Sequence, residues 1–294
     1  MDIRHPPAEV HLDVETARRL LESQHPDLLT GDLTLVDEGW DNFTYRVGRG
    51  HALRLPRREV AVQLLRNEQR WLPHVAPWLH LAVPIPVAIG SPSSLYPWPW
   101  TVVEWIEGRT AEGATLAPGE AESLAKALRS LHRPASPEAP FNPFRGVPLE
   151  SRRAVVEERL ERLKLGELEL TWRRGLEAEP AEVRVWLHGD LHPRNVVIRE
   201  GRLAGLIDWG DMTAGDPATD LACAWMLFGP RDRSAFLRAY GPTQDERDRA
   251  AAWAVNFASA MLDSSEPRHV SIGRTIVAHL RQASRGGDGS RGAG

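Results

Sequence analysis

The sequence predicts an α+β fold, with an antiparallel sheet in the N-terminal third of the chain and mainly helices in the rest. Three observations support this prediction. Before Gly108, short runs rich in β-branched and aromatic residues alternate with turn residues. After Gly108, apolar residues recur at helical intervals in several long segments. Between residues 183 and 220, short apolar runs and a loop interrupt the helices and collect polar residues in one place.

The N-terminal elements are predicted in the order helix, three strands, helix, two strands. The first helix covers residues 14–24, because Ala17, Leu20 and Leu21 share one face and Pro26 follows. The strands are predicted at residues 33–36, 43–47, 51–55, 84–89 and 100–106, with the second helix at 57–72. Together the strands predict a five-stranded antiparallel sheet.

The later part of the chain is predicted to be helical on both sides of the segment 183–220. The predicted helices are 121–131, 151–165, 167–178, 218–228, 231–240, 244–262 and 267–283. The lone cysteine, Cys223, excludes an internal disulfide and is expected to be buried in one of them. Residues 284–294 are rich in glycine, serine and arginine, a composition that predicts a disordered tail.

A loop of eight residues follows the apolar run at 183–187. It reads HGDLHPRN over residues 188–195. Gly189 and Pro193 oppose a helix there, because glycine costs backbone entropy and proline removes a hydrogen-bond donor. The octet is therefore predicted to be a loop.

The hairpin that follows the loop is expected to bring polar side chains together. Apolar runs at 196–198 and 203–207 flank turn residues and predict two paired strands, which return Asp208 to the vicinity of Asn195. Carboxylate and amide oxygens suit Mg²⁺, so Asn195 and Asp208 are predicted metal ligands. Asp190 is left to hold the proton of an attacking hydroxyl. The spacing D-x-x-x-x-N followed by D-x-G is the kinase pattern and predicts phosphoryl transfer.

Three strings in this order, HGDLHPRN, IDWGD and GDPATDLA, resemble the aminoglycoside phosphotransferase family, which includes macrolide and other small-molecule kinases. The resemblance implies a bilobal protein-kinase-like fold. Residues 1–106 would form a nucleotide-binding lobe ending in a hinge, and residues 107–283 a helical lobe for catalysis and acceptor binding. It also implies a Mg²⁺-dependent enzyme that moves the γ-phosphoryl group of ATP or GTP to a hydroxyl of a small molecule. That acceptor would be an antibiotic such as an aminoglycoside or macrolide, or a metabolite.

The same resemblance implies nucleotide-binding residues in the N-terminal part. The turn at residues 38–42, which ends at Asn42, would face the phosphates, and an ordinary hairpin turn is the alternative. Arg54 stands where the family has a phosphate-gripping lysine, and the alternative is a solvated strand arginine. Glu68 is expected to pair with Arg54, with Glu59 as the competing candidate.

Backbone groups and loop supports are also implied by the resemblance. The Glu104 carbonyl and the Ile106 N–H are expected to bond to the adenine at the hinge. His188 is expected to support the loop that carries the catalytic aspartate, and Asp220 to tie that loop down by hydrogen bonds. His192 is interpreted as a solvated loop residue.

Charge and hydropathy restrict the partners. The net charge of −4 gives no support to nucleic-acid binding, which normally shows a basic surplus. No apolar run is long enough to span a membrane and no signal-peptide core is present, so a cytoplasmic protein is expected. Acidic groups at residues 263–266 would meet a cationic acceptor, or else form an exposed helix end. The acceptor, the choice of ATP or GTP and the oligomeric state stay open.

Two other functions compete with phosphoryl transfer. Arg54 in place of the usual lysine would suit a nucleotide-binding module without catalysis, although the intact trio of Asp190, Asn195 and Asp208 opposes it. His188 and His192 have the spacing of a zinc-binding helix. That geometry needs a helix, which Gly189 and Pro193 oppose, so a metallohydrolase is disfavoured.

Overall fold

The structure, a computed structural model, describes residues 7–286, and the chain forms two compact units. The small unit contains the described residues up to Gly108 together with Ala204–Gly210. The large unit contains Arg109–Leu203 and the described residues from Asp211 onward. The sequence predicted one division, after Ile106, and did not anticipate that Ala204–Gly210 groups with the N-terminal residues.

The small unit is built on the antiparallel sheet that the sequence predicts. Its strands are β1 (Leu33–Glu38), β2 (Asn42–Val47), β3 (His51–Pro56), β4 (Pro86–Gly90) and β5 (Trp100–Glu104). They lie in the order β1-β2-β3-β5-β4, with every neighbouring pair antiparallel. Two helices accompany the sheet, α1 (Val14–Gln24) and α2 (Val60–Val75). The five-stranded sheet is therefore confirmed.

Helix α1 covers one face of the sheet. Its buried Leu20 and Leu21 belong to the same hydrophobic cluster as Tyr45 of β2, Leu53 of β3 and Trp100 of β5. Each of these side chains is at most 1% exposed. Burial of one such side chain stabilises a fold by about 2 kcal/mol, so this cluster holds in place the sheet that carries Arg54.

Helix α2 begins and ends three residues later than predicted. Arg57 and Arg58 are not yet helical, because their guanidinium groups hold the turn between β1 and β2. Arg57 donates to the Gly39 carbonyl (2.8 Å) and Arg58 to the Asp41 carboxylate (2.6 Å). At the other end the helix continues through Pro73 to Val75.

The large unit combines short strands with most of the helices. Its strands are β6 (Arg109–Thr110), β7 (Val185–Leu187), β8 (Val196–Arg199), β9 (Arg202–Leu206, which ends in the small unit) and β10 (Thr213–Gly215). Its helices are α3 (Glu120–Leu131), α4 (Arg153–Arg162), α5 (Glu169–Glu177), α6 (Ala218–Leu221), α7 (Cys223–Leu227), α8 (Pro230–Tyr240), α9 (Gln244–Leu262) and α10 (Pro267–Gly286). One sheet has the order β6-β8-β9, and β7 pairs antiparallel with β10.

Helix α9 is the central helix of the large unit. It starts at a capping box, in which Thr243 and Glu246 satisfy each other's backbone N–H groups. Trp253, Val255 and Phe257 are buried along it, and α4, α5, α6 and α10 all pack against it. The predicted bounds of α9 are confirmed, since its periodic pattern is long and its cap is local.

Some predictions for this unit are wrong at their boundaries. The helix predicted at 218–228 is divided into α6 and α7 at Ala222, although Cys223 is buried as expected. Residues 284–286 are the end of α10 rather than part of a disordered tail, and residues 287–294 lie outside the described residues. Among residues 7–286, no helix combines the length and hydropathy needed to cross a membrane.

Candidate active site

One buried carboxylate fixes the loop between β7 and β8. Asp220 of α6 accepts hydrogen bonds from the backbone N–H groups of His188 and Gly189, both at 2.8 Å. It also pairs with Nε2 of His132 (3.2 Å). Burial alone would raise the pKa of Asp220, but His132, His188 and the Gly189 N–H together lower it. The expected role of Asp220 in tying down this loop is confirmed.

The backbone of the loop then turns at Gly189. Its φ is +89°, and a Cβ there would lie 2.3 Å from the carbonyl oxygen of Asp211. Glycine is therefore required by both conformation and space. The next N–H, of Asp190, donates to Nδ1 of His188 at 3.3 Å, which confirms the supporting role expected for His188.

The structure brings the predicted catalytic residue Asp190 together with Asn195. Nδ2 of Asn195 donates to the carbonyl oxygen of Asp190 (2.8 Å) and lies 3.5 Å from its Oδ2. His192 is buried at 9% exposure and its Nε2 lies 3.4 Å from the same Oδ2. The interpretation of His192 as a solvated residue is wrong, because its Nδ1 also accepts the N–H of Arg194 (3.2 Å) and folds the ring inward.

An arginine that the sequence did not indicate completes the surroundings of Asp190. Nη2 of Arg145 donates to Oδ1 of Asp190 at 3.0 Å. Burial would raise the pKa of Asp190, yet the charges of Arg145, His192 and His188 outweigh burial and lower the pKa well below its usual range. Asp190 is therefore an ionised carboxylate at neutral pH.

Arg145 is held by the segment around it. The side chain of Asn142 donates to Oδ1 of Asp211 (2.6 Å), and its backbone N–H donates to the Thr213 hydroxyl (3.1 Å). On the other side, the N–H of Gly146 donates to the Thr219 hydroxyl (3.1 Å). These contacts join the segment to the chain just after β9 and to α6, so Arg145 and the loop of Asp190 share one support.

In the small unit, a second arginine lies between two acids. Arg54 of β3 is buried and forms an ion pair with Glu68 of α2, and its Nη2 lies 3.2 Å from Oδ1 of Asp208. Glu59, the competing partner, is an exposed residue at the start of α2. The structure thus brings together Arg54, Glu68 and Asp208, and Arg54 is not a solvated strand residue.

The other predicted nucleotide-side residues are spread along the sheet of the small unit. Asn42 begins β2, and its Oδ1 is buried without a hydrogen-bond partner among residues 7–286. Glu104 ends β5, with its N–H bonded to the Ile85 carbonyl at 3.4 Å, and Ile106 follows two residues later. Their roles toward a nucleotide stay predictions, as does the predicted proximity of Asp208 to Asn195.

Comparison with known proteins identifies the family of this chain. A family model described as "Phosphotransferase enzyme family" matches residues 32–253, which is most of the chain. The chain belongs to the phosphotransferase enzyme family. It is 29% identical to viomycin phosphotransferase of Streptomyces vinaceus over 245 residues, which is 74% of this chain and 80% of that protein. A shorter match, 28% over 96 residues, spans only 31% of the uncharacterized protein YcbJ of Bacillus subtilis (strain 168).

Solved structures of phosphotransferases share the fold of this family member. The GDP complex of aminoglycoside 2'-phosphotransferase-IIIa has a TM-score of 0.68 at 17% identity, covering 93% of this chain and all of that one. Macrolide 2'-phosphotransferase type I has a TM-score of 0.56 at 24% identity, covering 91% and 98%. Complexes of related aminoglycoside phosphotransferases with ADP and with ATP also match. The predicted kinase-like fold is confirmed.

The residues of this phosphotransferase fit the chemistry of magnesium. The amide nitrogen of Asn195 donates to Asp190, so its oxygen is the atom that would face a metal ion. Asp208 is 56% exposed and has a positive φ of 61°, a strained conformation that costs about 1 kcal/mol and is typical of functional sites. Within the described part of the chain, no group of three or more His, Cys, Asp or Glu residues could hold a metal.

Arg145 is the principal residue that sequence reasoning missed. It lies 45 residues before Asp190 in a proline-rich connection, and no spacing rule links the two. Gly146, whose φ is +65°, indicates a turn there, but it does not indicate which side chain the turn positions. Only the fold of this family member shows that the turn carries a guanidinium group to the loop of Asp190.

Proposed function

We propose that this protein is a Mg²⁺-dependent small-molecule kinase that transfers the γ-phosphoryl group of ATP or GTP to a hydroxyl group. The observation that supports this most is Asp190. Its carboxylate is kept ionised by Arg145, and its loop is fixed by Asp220, in a chain that belongs to the phosphotransferase enzyme family. An ionised, positioned carboxylate suits the orientation of a nucleophilic hydroxyl.

In the proposed reaction, the acceptor hydroxyl donates a hydrogen bond to Asp190. The hydroxyl oxygen forms a bond to the γ-phosphorus while the bond from that phosphorus to the β,γ-bridging oxygen breaks. The nucleoside diphosphate leaves with the bonding electrons, and the hydroxyl proton passes to Asp190 and then to solvent. When bound, the magnesium ion would neutralise charge on the phosphates, with Asn195 and Asp208 as its proposed protein ligands.

On the nucleotide side, Arg54 is proposed to hold the phosphates. A guanidinium group offers two parallel donors to phosphate oxygens, and Glu68 fixes its orientation in a buried pair. Asn42, the Glu104 carbonyl and the Ile106 N–H are proposed as further nucleotide contacts. The buried Asn42 Oδ1, which has no partner within the described residues, supports a polar ligand at that position.

The acceptor is proposed to be a small molecule, either an antibiotic or a metabolite. Viomycin, aminoglycoside and macrolide phosphotransferases among the similar proteins support this breadth. The GDP, ADP and ATP complexes of similar proteins support a nucleotide donor, and they include both guanine and adenine nucleotides. Fold similarity does not determine the acceptor.

The proposal is tested by comparing wild type with Asp190→Asn across a panel of hydroxyl acceptors. We expect a loss of about 10²–10⁴ in Mg²⁺-dependent nucleotide consumption, because the amide cannot take the proton. Nucleotide affinity measured by calorimetry should be largely kept. Undiminished turnover in Asp190→Asn would contradict the assignment of the catalytic residue.

A second candidate is a nucleotide-binding module without catalysis, which Arg54 in place of the family lysine favours. Its distinguishing result is tight, Mg²⁺-dependent nucleotide binding together with no phosphate transfer to any acceptor in the panel. Arg54→Lys separates the two further. A kinase should keep its turnover within about tenfold, because the positive charge is kept while the two-donor geometry is lost.

A further inference from the structure

A buried histidine joins helices α6 and α8 of the large unit. His132 directly follows α3, and its side chain is only 3% exposed. Its Nε2 lies 3.2 Å from Oδ2 of Asp220 in α6, and its Nδ1 lies 2.8 Å from the hydroxyl of Tyr240, the last residue of α8. The two rings also meet edge to face, with their centroids 5.6 Å apart. Each nitrogen of the imidazole therefore has its own partner on a different helix.

The chemistry of these three groups determines the direction of both hydrogen bonds. The pKa of Asp220 is lowered, and an ionised carboxylate only accepts, so Nε2 of His132 carries a hydrogen and donates it to Asp220. In the neutral ring Nδ1 is then an acceptor, and the Tyr240 hydroxyl donates to it. Burial raises the pKa of Tyr240, and nearby carboxylates raise it further, so the hydroxyl keeps its proton. The donors thus run from Tyr240 through His132 to Asp220.

The same carboxylate holds the backbone of the loop that carries Asp190. Oδ2 of Asp220 accepts both Nε2–H of His132 and the backbone N–H of His188 (2.8 Å). Oδ1 accepts the N–H of Gly189, also at 2.8 Å. Hydrogen bonds therefore connect the end of α8 to the residue that precedes Asp190. Because one oxygen serves two donors, the position of the imidazole affects the hydrogen bond to the loop.

The packing of α8 against α3 sets the position of Tyr240. Nη1 of Arg129 in α3 donates to the carbonyl oxygen of Ala239 at 3.4 Å, next to the tyrosine. Helix α8 then ends at Gly241, which has a φ of +78° and donates to the Leu237 carbonyl at 2.9 Å. Glycine adopts this left-handed conformation at little cost, so the helix stops directly after Tyr240. The phenol is thus held at the end of a docked helix.

We propose that Tyr240 is a positioning residue for phosphoryl transfer, acting through His132 and Asp220 on the loop of Asp190. The inference rests on the proposed phosphotransferase function, which assigns the role of Asp190. The phenol holds the imidazole with Nε2–H toward Asp220, and so keeps both loop N–H groups on one carboxylate. A hydroxyl that served only the packing of α8 would affect the stability of the whole large unit and not the loop in particular.

Amide hydrogen exchange of the whole protein, followed by NMR, tests this connection without any acceptor. Tyr240→Phe keeps the ring and its contact with His132, and only the hydroxyl is lost. We expect exchange of the His188 and Gly189 N–H groups to become roughly tenfold faster relative to amides of α9, the effect of about one hydrogen bond. Equal acceleration of all amides in the large unit, or no acceleration at His188 and Gly189, would overturn the proposal.

Tyr45→Phe is the matched control. The Tyr45 hydroxyl is also buried and donates to a backbone carbonyl, that of Leu12 (3.0 Å), in the small unit. Its removal costs a comparable hydrogen bond that has no connection to Asp220. Exchange at His188 and Gly189 relative to α9 should stay within about twofold of wild type, because distant sites act independently. A similar acceleration in both tyrosine variants would contradict the proposed connection.

His132→Gln is a second variant, which decides the matter if Tyr240→Phe fails to fold. The glutamine amide can donate to Asp220 at the reach of Nε2, but it offers no acceptor at the position of Nδ1. The two loop N–H groups should exchange faster, as in Tyr240→Phe. Adding Tyr240→Phe to His132→Gln should then change exchange little further, because the tyrosine acts through the imidazole. Additive effects would show that Tyr240 acts by another route and would overturn the proposal.

Mg²⁺-dependent nucleotide consumption with the acceptor panel tests the positioning role itself. In Tyr240→Phe, kcat should fall roughly tenfold, because Asp190 is held less precisely, while the KM for the nucleotide is kept. Tyr45→Phe should keep both constants within about twofold. Faster exchange in the loop with an unchanged kcat would overturn the positioning role. If the wild type consumes no nucleotide with any acceptor, the proposed kinase fails, and hydrogen exchange still decides whether Tyr240 holds the loop.

Discussion

Each unit of the molecule contains an arginine–carboxylate pair, and the pKa of the acid is raised in one pair and lowered in the other. In the small unit, the side chains of Arg54 and Glu68 are 9% and 3% exposed. Burial raises the pKa of Glu68, and the charge of Asp208 raises it further against the pull of Arg54. In the large unit, Arg145 and Asp190 are 22% and 20% exposed, and the pKa of Asp190 is lowered.

The difference lies in the number of positive neighbours. Glu68 has one arginine and a repelling aspartate, whereas Asp190 has Arg145 together with two histidines. Glu68 is thus deeply buried and positions Arg54, and Arg54 keeps its charge. Asp190 is a carboxylate kept ionised and partly exposed, which suits the role proposed for it toward a hydroxyl. The role of an ion pair therefore depends on how deeply the pair is buried and on the other charges around it.

The largest effect should come from breaking the small-unit pair. Glu68→Leu leaves Arg54 buried with only the more exposed Asp208, and we expect a loss of about 3 kcal/mol in the free energy of unfolding, measured with urea. The double variant Arg54→Met/Glu68→Leu should regain much of that loss, because no unpaired charge remains. Glu59→Leu on the exposed start of α2 is the control, with a change within about 0.5 kcal/mol. Equal losses at Glu59 and Glu68 would contradict this account.

The sequence predicts features that depend on interactions between nearby residues, and it does not predict features that depend on contacts between residues far apart in the chain. The loop at 188–195, which brings Asp190 to Asn195, depends on local spacing, and the capped α9 depends on local periodicity, so both could be predicted from the sequence. The start of α2 could not be predicted, because the side chains of Arg57 and Arg58 bond to a turn about seventeen residues earlier in the chain. The ion pairs of Arg145 with Asp190 and of Arg159 with Asp263 could not be predicted either, because they join residues 45 and 104 positions apart.

A substitution of Asp220, which supports the loop of Asp190 in the large unit, should have a smaller effect on stability. In Asp220→Asn, one carboxylate oxygen becomes an NH₂ group that faces a backbone N–H, so one hydrogen bond to His188 or Gly189 is lost. We expect a loss of about 2 kcal/mol in the free energy of unfolding and a fall in turnover, because the loop of Asp190 loses its anchor. Asp232→Asn, at an exposed position of α8, is the control. Thermal unfolding that is identical for both variants would show that Asp220 does not hold the loop.

The subtlest prediction concerns the charge of Asp190 itself. With Arg145 in place, the pKa of Asp190 is lowered, so its carboxylate stays ionised at lower pH than an ordinary aspartate does. Arg145→Gln removes the main opposing charge and leaves burial, which raises the pKa, so the midpoint should move upward by at least about one pH unit. The measurement is the carboxyl ¹³C shift of Asp190 against pH, which does not require an acceptor. Arg153→Gln should leave the midpoint in place, and an unmoved midpoint in Arg145→Gln would show that the histidines alone keep Asp190 ionised.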